Sequence, residues 1–260
     1  MNLKSKIIKI TLLTLLSGLL FLSSSYAQSL KKEVIAFTRE HAIHSYEYNS
    51  GSIILFQPRR GGLTSEFSTK WTSAKFLTSL KNNCVAINWF YFWRGIDGNN
   101  FQPAGPVTRY VGFNRQPIII PSTTNPQDDV NLWVEVFYNS SLNSVSMNTP
   151  IKINRGVSFF AWPMIIQDGE INTDLSRRIS HRSTNHFRTF LIQDNRNRAI
   201  RWITTTKISL PDLARALQTI MKWKVKNIVN LDGWSSTSFS SSGFSYNTSK
   251  ALPSFFHSCK

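Results

Sequence analysis

The chain has 260 residues, of which 41% are hydrophobic, 13% aromatic and only 17% charged. A disordered chain needs fewer aromatics and more charge, and a multi-span helical membrane protein needs long apolar runs beyond the N-terminus, so both are excluded, as are collagen and coiled coil. Thirty Lys and Arg against 14 Asp and Glu give a formal charge of +16, which points to anionic partners or surfaces and says nothing of fold.

At the N-terminus, Lys4, Lys6 and Lys9 precede an apolar stretch over 10–22, and the small residues Ser25 and Ala27 flank Tyr26. This pattern predicts a signal peptide over residues 1–27, and the stretch is shorter than the roughly 20 residues a spanning helix needs. The expected mature chain, residues 28–260, is exported, periplasmic or extracellular, and has no transmembrane span after cleavage. Cleavage removes three Lys and no acid, so the mature chain keeps a charge of about +13. It holds both cysteines, Cys84 and Cys259. They could form a disulfide in an oxidising compartment, or Cys84, at the head of the apolar run CVAI, could be a buried thiol. No CxxC spacing marks a metal site.

Strand-like runs follow at 34–38, 52–57, 117–120, 132–138, 158–166, 187–193 and 201–205, separated by Gly, Pro, Asn and Asp clusters. Apolar residues at helical spacing predict helices over 72–81 and 210–222, each leading into a buried-looking strand, 84–88 and 227–232. Ser209 and Asp212 form a capping box for the second helix, with Pro211 tolerated in its first turn. No linker divides residues 28–260. The expected fold is α+β: a single domain with a mixed, largely β sheet and a few packed helices.

Three segments carry residues suited to chemistry. NLDGWSST (230–237) puts Asp232 at a strand end, with Gly233 permitting a tight turn and Ser235, Ser236 and Thr237 supplying hydroxyls and backbone donors for an anion. The alternative is an Asp-Gly turn with a solvated Ser run. NHFRTFLI (185–192) sets Arg188, a bidentate partner for phosphate or carboxylate, at the mouth of another strand, beside His186. AWPMIIQDGE (161–170) reads as a strand and an Asp-Gly hairpin turn at Asp168–Gly169. His41 and His44 have no third ligand nearby in sequence, so no metal site is expected there.

Together these segments resemble a known family. VAINWFYF (85–92) resembles an AINGGFF segment, and FQPAG (101–105) the Pro-x-Gly that follows it. AWPMIIQDGEI resembles P-x-L-I-x-x-G, NHFRTFLIQD resembles H-x-R-T-A-I-G, and the stretch from Ser209 to Thr237 resembles a helix running into NLDGGGSS. Order and spacing agree over about residues 45–240 with the phosphodiester glycosidase family. The resemblance implies a secreted hydrolase that cleaves a sugar-1-phosphodiester, acting on envelope or extracellular polysaccharide. Two departures stand out: Trp89 and Phe90 replace both glycines of the first motif, and Trp234 replaces glycine in a closing motif one residue shorter. The aromatics would narrow a pocket or stack on a sugar.

In this reading Asp232, Arg188 and Asn88 are the catalytic residues, and Ser235, Ser236, Gly233 and His186 bind substrate. Asp232 acts as base or positions water, and Arg188 with the serines and turn N–H groups holds phosphate. A phosphate monoester, with a second pKa of about 6, leaves far more readily than an alkoxide, so a paired acid is needed less than in ordinary glycosidases. If a divalent cation takes part, oxygen donors such as Asp232 and Asn88 favour Ca2+ or Mg2+ over zinc. The alternative is a non-catalytic basic protein on the same fold that binds anionic polysaccharide. Nucleic acid is not expected: the charge fits, but no recognition motif accompanies it and export argues against it.

Overall fold

Short apolar runs bounded by turn residues dominate the chain, and strands dominate its structure. The computed structural model describes residues 32–37, 41–48, 51–58, 64–73, 85–88, 92–94, 101–103, 106–112, 115–120, 133–172, 175, 184–221, 224–231, 236–241, 245–246 and 251–258. In chain order the strands are β1 (Lys32–Phe37), β2 (His41–Tyr48), β3 (Gly51–Pro58), β4 (Thr64–Ser73), β5 (Val85–Asn88), β6 (Phe92–Arg94), β7 (Phe101–Pro103), β8 (Val107–Val111), β9 (Ile118–Ile120) and β10 (Val134–Asn139). They continue as β11 (Ser144–Met147), β12 (Arg155–Ala161), β13 (Met164–Gln167), β14 (Glu170–Ile171), β15 (Thr189–Asp194), β16 (Ala199–Thr204), β17 (Val225–Asn230), β18 (Phe239–Ser240), β19 (Ser245–Tyr246) and β20 (Ala251–Ser258). One helix, α1 (Leu210–Met221), is found among the described residues. The predicted signal segment 1–27 lies outside them.

An eight-stranded sheet has the order β1-β2-β3-β16-β15-β17-β13-β14. Two five-stranded sheets run β11-β10-β12-β8-β9 and β19-β18-β5-β20-β4, and β6 and β7 form a separate pair. The apolar runs explain the layering. In β3, Ile54 and Phe56 face one core and Ile53 and Leu55 the other, so the strand is apolar on both faces. The first core lies among the three larger sheets and takes Leu191 and Val229 from one, Tyr138 and Phe159 from the second, and Ile87 and Phe256 from the third. The second core packs Leu210, Leu213, Ala214 and Leu217 of α1 on the far face of the eight-stranded sheet, against Phe190, Ile192, Trp202 and Ile228. Arg201 is the exception inside the first core. It is fully buried, with its guanidinium carbon 4.5 Å from the Tyr138 ring centroid and 4.3 Å from that of Phe256, so one residue from each larger sheet meets there.

The α+β expectation, with a mixed sheet and a few packed helices, is therefore corrected to a mostly β architecture in which every described ladder is antiparallel. The helix expected over 72–81 begins inside β4, which runs to Ser73; the rest of that span lies outside the described residues. The mixed sheet is expected from many short strand runs set against two amphipathic helices. In fact β15 pairs antiparallel with both β16 and β17, so the two strands joined through α1 are parallel to each other yet never bonded to each other. The crossover is real, and the strand inserted between its arms makes both ladders antiparallel.

Local chemistry explains the ends of these elements. Ser209 Oγ accepts from the Asp212 N–H at 3.2 Å, the N-cap half of the predicted capping box at the start of α1, and donates to Asp212 Oδ2 at 2.5 Å. Asp168 and Gly169, with φ of 48° and 87°, close the β13–β14 hairpin as the Asp-Gly pair predicts. The run expected over 158–166 divides at Trp162–Pro163 into β12 and β13, which belong to different sheets. In β20 the ladder to β4 shifts between Leu252 and Ser254, at Pro253, which has no N–H to contribute.

Candidate functional site

At one end of the eight-stranded sheet the start of β15 lies beside the end of β17, because Phe190 is registered with Asn230. Asn88, the last residue of β5, reaches this end from another sheet. It is 2% exposed, and its Oδ1 accepts from Thr189 Oγ1 at 2.9 Å and from the Ser238 N–H at 2.9 Å. Its own N–H donates to the Ser238 carbonyl at 3.2 Å. Thr189 Oγ1 also lies 3.5 Å from Thr237 Oγ1, and Thr189, Thr237 and Ser238 are all fully buried. Burial without partners would cost each of these groups heavily, so the cluster acts as a clasp between chain segments 101 and 150 residues apart.

The clasp continues into β17. The Leu231 N–H donates to the Thr189 carbonyl at 2.8 Å, and the Asn230 N–H to the Pro163 carbonyl at 3.0 Å. Asn230 Nδ2 donates to the Trp162 carbonyl at 3.2 Å, and the Trp162 ring lies 6.4 Å from that of Trp133. Asp232, Gly233 and Ser235 follow Leu231 in the chain and lie outside the described residues, as does Trp234. Ser236 is buried and leads into Thr237 and Ser238.

Arg188 is 4% exposed and directly precedes Thr189, but the two side chains part. The hydroxyl bonds Asn88, whereas Arg188 Nε donates to the Ile208 carbonyl at 3.4 Å and Nη2 to the Thr184 carbonyl at 3.1 Å. The Arg188 N–H donates to Thr204 Oγ1 at 2.8 Å, tying the residue to the end of β16. His186 is half-buried and exchanges backbone hydrogen bonds with Ile208, at 3.2 and 3.0 Å. Asn88 and Arg188 therefore sit at the same sheet end with Thr189 between them.

Asn88 fits poorly as a ligand for a hard cation, because its carbonyl oxygen already accepts two hydrogen bonds from within the protein. No group of three His, Cys, Asp or Glu suited to a metal occurs among the described residues. Thr189, Ser238 and Asn230 were not singled out from sequence. The available signal was the Thr in HFRT, directly after the arginine, together with the hydroxyl run after Trp234. What hid them is that their partners come from strands far apart in the chain.

Comparison with known proteins bears on the fold. No family model matches the chain, and no curated protein matches it. Among solved structures, the chain is similar to a hypothetical protein from Synechocystis, at 15% identity and a TM-score of 0.56. The match covers 89% of this chain and 64% of that one, so this chain spans less than two thirds of its neighbour's length. A second similar structure is the zebrafish N-acetylglucosamine-1-phosphodiester alpha-N-acetylglucosaminidase catalytic domain auto-inhibited by its pro-peptide. There the identity is 10%, the TM-score 0.48 and the coverage 88% of this chain and 87% of that one, a likeness too distant to bear on activity. The Synechocystis likeness establishes a shared fold.

Proposed function

We propose that this chain is an exported hydrolase of the phosphodiester glycosidase type, which releases a sugar from a sugar-1-phosphodiester of envelope or extracellular polysaccharide. The observation that carries the reading is convergence. Four segments that resemble the family's motifs meet at one sheet end: Asn88 bonds Thr189 and Ser238, Leu231 bonds Thr189, and Asn230 bonds Trp162 and Pro163. Packing alone does not require polar side chains from three distant segments to be buried together there, beside backbone carbonyls of a fourth.

In this reading the clasp holds the turn that contains Asp232, and Asn88 acts as a positioning residue. Asp232 takes a proton from water or orients it toward the anomeric carbon. Arg188, Ser235, Ser236 and the N–H groups of the turn at Gly233 hold the phosphate, with His186 at its edge. The bond between the anomeric carbon and oxygen breaks, and the phosphate monoester leaves with the electron pair. Its second pKa near 6 makes it a good leaving group without a dedicated acid. The test is turnover by purified protein on a sugar-1-phosphodiester. Free sugar should accumulate with wild type and not with Asp232→Asn, while ligand binding and thermal stability stay nearly unchanged in the variant. Binding of anionic polysaccharide without turnover by wild type would instead favour a non-catalytic basic protein.

A further inference from the structure

The chain has only two cysteines, Cys84 and Cys259, and both lie outside the described residues. Their flanks, however, are described. Antiparallel β5 and β20 are in register as Asn88↔Phe255, Ile87↔Phe256, Ala86↔His257 and Val85↔Ser258. In sequence Cys84 directly precedes Val85 and Cys259 directly follows Ser258, so one further step of this register would oppose the two cysteines. Directly opposed residues of antiparallel strands have Cα atoms about 4.5–5.5 Å apart, inside the range a disulfide spans. For a chain with two cysteines in 260 residues, both flanking the same end of one described ladder in sequence is a specific coincidence.

We propose that Cys84 and Cys259 form a cross-strand disulfide that staples the last strand to β5. Each thiol gives up one proton and one electron. The oxidant is a disulfide of the thiol-exchange class, RSSR, which leaves as two RSH after passing through a mixed disulfide. The nearest described pair on the same face, Ala86 and His257, includes a half-buried residue, so an exchanging thiol can approach from that side. The staple would matter for two reasons. β20 supplies Phe256 to the first core and to Arg201, and it pairs with the strand that ends in Asn88.

The test uses the full chain, reduced and then exposed to glutathione disulfide in native buffer and, separately, in denaturant. The products are alkylated with iodoacetamide after denaturation and mapped as peptides. In native buffer a cross-linked peptide containing both cysteines should form at least about tenfold faster than in denaturant. It should take up no alkyl group until a reductant is added, and two afterwards. Reduction should lower the melting temperature by roughly 5 °C or more, because the bond closes a long loop. A variant with Cys259→Ser and Ser258→Cys moves the thiol to the other face of the strand and should lose the rate advantage. Stable glutathione adducts on both cysteines, a bond between two chains, equal rates in native buffer and denaturant, or undiminished bonding in the shifted variant would each overturn the proposal.

Discussion

Asn88→Ala gives the sharpest test of the clasp. The substitution removes an oxygen that accepts from Thr189 Oγ1 and the Ser238 N–H, both at 2.9 Å. The Thr189 hydroxyl keeps only the 3.5 Å contact to Thr237 Oγ1, too long to recover more than a small part of its loss. The Ser238 N–H is fully buried, and stranding it costs about 1–3 kcal/mol. The space left by the amide adds about 1 kcal/mol, for a total of about 2–4 kcal/mol. Urea unfolding should show this as a lower midpoint at an unchanged slope. Thr189→Val keeps the shape and should cost about 1 kcal/mol alone, and less than that on top of Asn88→Ala, because the partner is already gone. If Asn88→Ala costs under about 1 kcal/mol, or the two changes are fully additive, the clasp does not hold these segments together.

Arg201 is buried between two rings with no carboxylate partner among the described residues, and desolvation pushes its pKa below the usual arginine range; Arg201→Met should therefore keep or raise stability, by up to about 2 kcal/mol, in the same urea assay. Ser209→Ala should cost about 1 kcal/mol at neutral pH. The hydrogen bond from Ser209, helped by Arg215, holds the Asp212 carboxyl below its ordinary pKa, so the stabilisation is present above the unfolded value and fades as pH falls through the folded one. The gap between wild type and Ser209→Ala should accordingly narrow in unfolding curves below about pH 4. Arg196, Arg198, Lys224 and Lys226 are exposed around the far ends of β15 and β17, so retention on an anionic polysaccharide matrix should fall steeply with salt; retention indifferent to salt would remove the basic face from the account.

The legible parts of this fold were those written in consecutive residues. The Ser209 cap on Asp212, the Leu210–Met221 stripe and the Asp168–Gly169 turn are local, and each was found where its pattern predicts. The missed strands lack a local signature. β2 mixes His, Ser and Glu with its apolar residues, and β20 contains a proline and three polar residues, so both owe their form to the sheets they join. Sheet connectivity was hidden for the same reason, since nothing near β16 or β17 indicates that β15 lies between them. At the site, Asn88 stood out as the polar end of an apolar run, and Ser236 as one of the hydroxyls after the Asp-Gly pair. Thr189 and Ser238 gain meaning only when segments more than 100 residues apart meet.

The central claim is that Asp232 drives hydrolysis of the bond between an anomeric carbon and a phosphate oxygen. It is tested most directly by running the reaction on a sugar-1-phosphodiester in water labelled with heavy oxygen, and locating the label by mass spectrometry. The account predicts one labelled oxygen in the released sugar, none in the phosphate monoester, and no release by Asp232→Asn. Label in the phosphate product, or equal release by wild type and Asp232→Asn, would contradict it.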